Sequence, residues 1–206
     1  MESYKSSKVD AFPTLIMHFT NVLSLSELNN IFNILKTKDT GEDYSLINGT
    51  STFNNSGSIL EELGISDIIQ EKIDEYCREI EFKSLTIDNS WFSIQDIGGL
   101  LRDHIHSGSV ISGVFYINAD ELSSPTVFEN PNPLNIFNFS DPSTLTGNSK
   151  YTHQVMRFKP KTGDLLLFPS WLKHGCEYIA NQTEDRTIIS FNTWWKQNSV
   201  RESTHN

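Results

Sequence analysis

The sequence predicts a mainly β (α+β) domain in which a helical N-terminal part precedes a sandwich or jelly roll. Before residue 82, apolar residues recur at helical intervals. From Phe82 onward, short apolar runs alternate with turn residues, as they do in β-sandwiches. The 206 residues suffice for one core, so we expect a single domain over residues 1–206. Its helical and loop part covers about 1–82, and its jelly-roll core covers about 83–197.

The N-terminal part contains one predicted strand and two predicted helices. Residues 11–19 form the strand, and Pro13 favours a sheet edge because proline cannot donate a backbone hydrogen bond. Ser24 and Glu27 have capping-box spacing and begin the first helix. Residues 39–57 are rich in Gly, Asn, Ser and Thr and predict a loop. The second helix has one apolar stripe, formed by Ile65, Ile68, Ile69, Ile73, Tyr76, Cys77 and Ile80.

The C-terminal part contains the predicted strands of the jelly roll. They cover about 84–95, 101–106, 109–118, 125–129, 151–158, 163–168, 174–179 and 186–195. Residues 130–150 interrupt this series of strands, because they form a long segment without periodic apolar residues. Loops of this length in compact domains are often lids or binding loops.

Charge and cysteine content narrow the classes of function. The formal net charge of −10, without a basic stripe, argues against a nucleic-acid partner. Cys77 and Cys176 are too few for a disulfide framework. The chain has no signal segment and no run that approaches a membrane span, so we expect a soluble cytoplasmic protein.

Three histidines are the candidate metal ligands. His104 and His106 precede an apolar, β-branched run, and in a strand side chains at i and i+2 point the same way. Two adjacent imidazoles can hold a metal if the chain returns a third ligand, and His174 is the best candidate. A histidine pair alone is more often a pair of satisfied polar residues at a strand end. Three neutral imidazoles also bind zinc or copper readily, so the metal need not be iron.

The last predicted strand carries a candidate anion site. With a period of two, Arg186, Ser190 and Asn192 share one face, and an arginine inside a barrel can bind a carboxylate with both ends of its guanidinium group. The alternative is a surface arginine that pairs with Asp164 or Glu184. Ser112 and Tyr116 likewise share one face of the strand after His106, although Tyr116 is as compatible with a core position.

The order of these motifs resembles the 2-oxoglutarate/Fe(II)-dependent oxygenases, and in particular a small subfamily often encoded by phages and bacteria. The resemblance covers about residues 90–195. The matching segments are His104-x-His106, Ser112-Gly-Val-Phe-Tyr116, Pro160-x-x-Gly163-Asp-x-Leu-x-Phe168-Pro-Ser-Trp-Leu-x-His174 and Arg186-x-x-x-Ser190-Phe-Asn192.

The resemblance implies a double-stranded β-helix, a form of jelly roll, flanked by N-terminal helices. It implies Fe(II), the cosubstrate 2-oxoglutarate and O₂, in a reaction that hydroxylates a C–H bond while 2-oxoglutarate is oxidatively decarboxylated. His174 would be the distal iron ligand, and Arg186 would pair with the far carboxylate of 2-oxoglutarate. Tyr116 would contact the cosubstrate from the opposite wall, and Ser190 would assist Arg186. The remaining candidate cosubstrate contacts are Ser112 and Asn192.

The proximal metal motif departs from the family pattern. The usual form is His-x-Asp or His-x-Glu, whereas this chain has His104-x-His106, with no carboxylate at i+2 in either register. A three-histidine site with His174 would resolve this, as would a two-histidine site with water in the vacant place. The third solution is a carboxylate from elsewhere, for which Glu129 is the candidate. We expect all three histidines near the metal.

Two other functions compete with the oxygenase. A cupin-like metal enzyme without 2-oxoglutarate would explain Gly163, Pro169 and His174, but it would leave Arg186 without a purpose. A non-catalytic jelly-roll module that binds a sugar or protein would leave the histidines incidental. The prime substrate is an unknown small molecule or protein, and the edge strand over 11–19 predicts a homodimer contact.

Overall fold

The structure, a computed structural model, describes residues 6–8, 10, 12–54, 57–132, 150, 153–176 and 179–196. Within these residues the helices are α1 (Leu25–Leu35), α2 (Ile59–Glu62) and α3 (Ser66–Glu79). The strands are β1 (Met17–Phe19), β2 (Leu46–Ser51), β3 (Leu85–Leu101), β4 (Ile111–Asn118), β5 (Thr126–Glu129), β6 (Val155–Phe158), β7 (Leu165–Pro169), β8 (His174–Gly175) and β9 (Arg186–Trp195). No helix in these ranges is both long and apolar enough to span a bilayer.

The strands form two antiparallel sheets, which confirms the predicted double-stranded β-helix. The large sheet has the order β1-β7-β4-β9-β3-β2, and the small sheet has the order β6-β5-β8. Phe128 of the small sheet packs edge-on against Phe168 of the large one, with 5.0 Å between their ring centroids. This pair belongs to an apolar cluster between the sheets, which leaves the rest of the interlayer space for a cavity.

The helices cover the other face of the large sheet. The predicted capping box begins α1: the Ser24 hydroxyl accepts the Glu27 backbone N–H, and the Glu27 carboxylate accepts the Ser24 N–H. The apolar stripe of α3 buries Ile69 and Ile73 completely, and burial of such a side chain contributes about 1.5–3 kcal/mol. Both helices pack on Phe92, Phe115 and other side chains on the face of the large sheet that is opposite the cavity. The helices and this face of the large sheet therefore form one hydrophobic core, which supports the strands that line the cavity.

Strand β9 joins this core to the interior of the jelly roll. Ile189 and Phe191 are fully buried in the helix-side core, whereas Arg186 and Ser190 line the cavity on the opposite face. This alternation follows from the two-residue period of a strand and confirms the predicted faces. Gly113 on β4 permits the close approach of β9, because a Cβ there would overlap the ring of Phe191.

Several predicted element boundaries are wrong. Residues 101–106 were predicted as a strand, but β3 ends at Leu101 and only an isolated bridge between His104 and His174 continues the pairing. β2 lies inside the predicted loop over 39–57, because pairing with β3 compensates for its low intrinsic strand propensity. β1 covers only the end of the predicted first strand, although its edge position is confirmed. Most of the predicted 130–150 loop lies outside the described residues.

Candidate active site

A cavity of about 520 Å³ lies between the two sheets. Its wall on the large sheet is formed by side chains of β3, β4 and β9, and its wall on the small sheet by β5 and β8. The segment after β3, from Arg102 to Ser109, closes one side. The candidate side chains that line the cavity are His104, His106, His174, Arg186, Ser190 and Asn192.

Three imidazoles meet inside this cavity. The Nε2 atom of His106 is 3.2 Å from that of His104 and 3.3 Å from that of His174. The candidate ligand atoms of all three residues lie within 4.8 Å of one another. Although His104 and His106 do not belong to a strand, their side chains converge as predicted.

Backbone hydrogen bonds fix the positions of these histidines. The N–H of His104 donates to the carbonyl of His174 at 2.9 Å, and the N–H of His174 donates to the carbonyl of His104 at 3.0 Å. The N–H of His106 donates to the carbonyl of Ser170 at 2.9 Å. The post-β3 segment is thereby held against β8 and the end of β7, which carry the third histidine.

Hydrogen bonds to backbone carbonyl groups set the tautomers of His104 and His174. Nδ1 of His104 lies 2.7 Å from the carbonyl oxygen of Arg102, and Nδ1 of His174 lies 2.8 Å from that of Leu172. A carbonyl can only accept, so each Nδ1 must carry the proton and each Nε2 presents its lone pair to the cluster. Outer contacts of this type commonly orient metal-binding histidines.

Burial keeps two of the imidazoles neutral. It lowers the pKa of His106 to about 4, with a further contribution from His104, while a hydrogen bond to Asn192 acts in the opposite direction. Burial lowers the pKa of His174 to about 3, and the two neighbouring histidines reinforce the effect. Neutral imidazole is the form that binds metals, so both residues are ready as ligands at neutral pH.

The donor set fits a divalent transition metal. Metal–nitrogen bonds of about 2.0–2.1 Å place neighbouring nitrogen ligands roughly 3.0–3.4 Å apart, depending on the coordination geometry. The two Nε2 separations given above fall within this range. Nε2 of His104 and Nε2 of His174 both face Nε2 of His106, so a single metal ion among them can accept a lone pair from each ring. The three histidines are therefore suited to hold one metal ion.

The structure does not bring Glu129 into this group. Its carboxylate lies 2.7 Å from the ammonium group of Lys173 at a partly exposed position. In the described part of the chain, the cluster of possible metal ligands consists of His104, His106 and His174 alone.

Arg186 occupies the interior of the jelly roll. It is 3% exposed, and its Nη1 donates to the side-chain oxygen of Gln95 at 2.5 Å. Its Nε donates to the carbonyl of Ser124 at 3.2 Å, and its guanidinium carbon lies 5.5 Å from the centre of the Tyr116 ring. The alternative of a surface ion pair is wrong, because Arg186 is buried and Asp164 instead pairs with His18 at 3.0 Å.

The other predicted contacts fall into two groups. Ser190 and Asn192 line the cavity beside Arg186 and the histidines. Tyr116 and Ser112 are fully buried. The Tyr116 hydroxyl bonds to Thr126, and the Ser112 hydroxyl donates to the Asn192 side chain at 2.8 Å. Burial raises the pKa of Tyr116, so the phenol stays neutral. Contact of Tyr116 or Ser112 with a cosubstrate stays a prediction.

Sequence reasoning missed the residues that surround this site. Gln95 and Ser124 contact Arg186, and Trp91 stacks on His106 with 5.9 Å between ring centroids. Gln95 lies directly opposite Arg186 in the pairing of β3 and β9. The sequence gives no local indication of this contact, because it depends on the register of two strands that are far apart in the chain.

Comparisons with known proteins agree with this geometry. The family model described as 2OG-Fe(II) oxygenase matches residues 89–192, which is half of the chain. No curated protein sequence matches.

Solved structures share the fold at low sequence identity. HygX from Streptomyces hygroscopicus, with nickel, 2-oxoglutarate and hygromycin B bound, gives a TM-score of 0.60 at 12% identity, over 87% of this chain and 82% of that one. A Trichoplax adhaerens prolyl hydroxylase in complex with a hypoxia inducible factor peptide gives 0.57 at 12% identity, over 86% and 82%. A Pseudomonas putida prolyl-4-hydroxylase gives 0.55 at 9% identity, over 90% and 94%.

The matched segment contains His104, His106, His174 and Arg186, which the structure brings to one cavity. Its fold is the double-stranded β-helix of the structural neighbours. The chain belongs to the 2OG-Fe(II) oxygenase family, whose reaction uses Fe(II), 2-oxoglutarate and O₂.

Proposed function

We propose that this protein is a hydroxylase whose iron is held by three histidines, His104, His106 and His174, without a carboxylate ligand. The observation that carries the proposal is the convergence of three Nε2 atoms in the cavity that Arg186 also lines. When bound, the iron supplies the O₂ chemistry that converts 2-oxoglutarate to succinate and CO₂ and inserts the second oxygen atom into a C–H bond of the substrate.

The side chains of this protein bind and orient the reactants. Arg186 would bind the far carboxylate of 2-oxoglutarate, and its burial would strengthen that pairing. Ser190 and Asn192 line the same wall and could donate hydrogen bonds to the cosubstrate. The fully buried Tyr116 would support Arg186 through its ring.

The outer part of the cavity is where we expect the prime substrate. Tyr44 and Phe53 are exposed there, and Phe53 packs edge-on against Trp91 with 4.9 Å between ring centroids. Trp91 in turn stacks on His106, so an aromatic wall extends from the metal ligands to the cavity mouth. A small molecule or a peptide side chain fits such a wall. The net charge of −10 argues against nucleic acid.

An anaerobic titration of the metal-free protein with Fe(II) and 2-oxoglutarate tests the proposal. Chelation of iron by the keto acid gives a weak visible charge-transfer band. We expect the band in the wild type, its loss in His174→Ala, and weaker 2-oxoglutarate binding in Arg186→Ala. Iron binding without the band would favour the cupin-like alternative, and a failure to bind any divalent metal would favour a non-catalytic binding module.

A homodimer through β1 remains part of this proposal. Within the described residues β1 pairs only with β7, so its other edge is available for pairing with a second copy. Size-exclusion chromatography with light scattering would give the mass directly, and a monomer would remove this part of the proposal.

A further inference from the structure

Arg186 is a buried cation that the described residues leave without an anion. The groups that accept its hydrogen bonds, the side-chain amide of Gln95 and the backbone carbonyl of Ser124, are both neutral. No carboxylate in the described ranges lies within 4 Å of its guanidinium group. A buried charge without a counter-ion is costly, so the site is arranged for an anionic ligand.

Gln95 is the closest of these neutral partners. It lies opposite Arg186 in the pairing of β3 with β9, and it is 1% exposed. Because its oxygen accepts the Arg186 N–H, its Nε2 is directed elsewhere, and this atom is buried without a hydrogen-bond partner among the described residues. The hydroxyl oxygen of Ser124 is also buried without such a partner. Two unused polar atoms thus belong to the residues that contact the guanidinium group.

Asn181 holds both of these residues in place. Its Nδ2 donates to the backbone carbonyl of Gln95 at 3.1 Å and to that of Asp96 at 3.0 Å. Its Oδ1 accepts the backbone N–H of Ser124 at 3.2 Å. Since Asn181 is itself 1% exposed, the surroundings of Arg186 are built from buried, interlinked polar groups.

A glutamate would be the stronger partner for Arg186 in the absence of ligand. It has nearly the shape of glutamine and the same acceptor oxygen, and its charge would strengthen the bond to Nη1. It would also cancel the charge that attracts a carboxylate ligand. The amide at position 95 fixes the orientation of the guanidinium group without neutralising it.

We infer that Gln95 is a specificity-determining positioning residue, which orients Arg186 and leaves its charge for the far carboxylate of a dicarboxylate keto acid. The inference rests on the proposed function and adds a residue to it. It implies that the affinity for 2-oxoglutarate depends more on a neutral side chain at position 95 than on the hydrogen bond between that side chain and Arg186.

The test compares Gln95→Glu with Gln95→Met in the full chain loaded with Fe(II) under anaerobic conditions. Glutamate keeps the hydrogen bond but cancels the charge, whereas methionine loses the bond and keeps Arg186 uncompensated. We expect Gln95→Glu to weaken 2-oxoglutarate binding about 100-fold and Gln95→Met about tenfold or less. A purely structural role predicts the opposite order, because only methionine disrupts the contact. That order would overturn the inference.

Gln182→Glu is the matched control, because it adds the same charge at an exposed position. We expect it to bind 2-oxoglutarate as the wild type does, and we expect Fe(II) affinity to be unchanged in all three variants. Equal weakening by Gln182→Glu and Gln95→Glu would overturn the inference, since the effect would then come from overall charge.

A ligand comparison gives the same test without a change in the protein. 2-Oxopentanoate has a methyl group in place of the far carboxylate, so we expect it to bind the wild type about 100-fold more weakly than 2-oxoglutarate. The two ligands should bind Gln95→Glu about equally well. Similar affinities in the wild type would overturn the inference. Absence of the charge-transfer band from the wild type with 2-oxoglutarate would instead show that the proposed function has failed.

Discussion

The surroundings of the proposed metal ligands are set by individual side chains. His174 is 3% exposed and is enclosed by the rings of Phe128 and Phe168, with centroid distances of 5.9 and 4.5 Å. This packing leaves the imidazole few orientations, and the bond from its Nδ1 to a carbonyl selects one of them. The packing and this hydrogen bond therefore hold the imidazole in an orientation that suits the proposed metal site.

Replacement of one histidine should weaken metal binding strongly, whereas replacement of Glu129 should not weaken it. We expect His106→Gln to weaken Fe(II) or Co(II) binding about 100-fold or more, because one of three ligands is lost. Glu129→Gln should bind metal like the wild type, since its carboxylate pairs with Lys173 outside the cluster. Isothermal titration calorimetry with metal-free protein measures both. Weak binding by Glu129→Gln would restore the carboxylate solution.

The buried imidazoles make the stability of the metal-free protein depend on pH. The pKa is lowered to about 4 for His106 and to about 3 for His174, whereas both are near 6.5 in an unfolded chain. Between these values the unfolded state binds more protons, so their stabilising contribution is complete above pH 6.5 and decreases as the pH falls toward 4. The loss is about 2 kcal/mol at pH 5 for each histidine whose pKa is fully shifted.

Denaturant unfolding in EDTA at pH 7.5 and pH 5.0 measures this dependence. The variant His106→Gln should show a smaller difference between the two pH values than the wild type, because one of the two shifted groups is gone. Replacement of the exposed Gln182 with alanine, which removes no titrating group, should leave the difference unchanged. An identical pH dependence in wild type and His106→Gln would show that the folded cluster accepts protons freely.

At the scale of elements, β9 connects the core with the site. Its helix-side face carries Ile189 and Phe191, and its cavity face carries Arg186, Ser190 and Asn192. A shift of this strand would therefore move all three proposed cosubstrate contacts together. Strand β4 lies beside β9, with Gly113 opposite Phe191 in the register.

Gly113→Ala should destabilise the protein through this pair. The added methyl group would overlap the Phe191 ring, and overpacking of this kind costs about 1–3 kcal/mol. Phe191→Leu should recover part of the loss in the double variant, because it makes room for the methyl group. Gly41→Ala is the control, since a Cβ there meets nothing within 4 Å. Urea denaturation of the wild type, the two single variants and the double variant measures the coupling, and additive effects of the two substitutions would contradict it.

The sequence predicted the elements whose signals are local. Capping-box spacing predicted the start of α1, and the apolar stripe predicted α3. The two-residue period predicted that the side chains of His104 and His106 point the same way, but backbone hydrogen bonds to His174 and Ser170, and not a strand, hold them there. By contrast, the contact between Gln95 and Arg186 joins residues 91 positions apart, and the link between Asn181 and Ser124 spans 57. Such contacts depend on strand register, which a single sequence does not specify locally.

At the scale of the whole molecule, the metal and the cosubstrate should link the two sheets. His174 belongs to the small sheet, and Arg186 belongs to the large sheet. A keto acid held at the metal by one end and at Arg186 by the other would therefore connect both layers. This arrangement predicts that the two ligands stabilise the fold cooperatively.

Thermal unfolding measures this coupling. Ni(II), a redox-stable substitute for Fe(II), should raise the midpoint by about 5–10 °C at a concentration 100 times its Kd, because it binds only the folded state. 2-Oxoglutarate should raise it further in the presence of metal and have little effect after EDTA treatment, since the keto acid then lacks its main anchor. In Arg186→Ala the effect of metal should persist and the additional effect of 2-oxoglutarate should largely disappear. An equal shift by 2-oxoglutarate with and without metal would show that the two ligands bind independently, and the cavity would then not be a joint site.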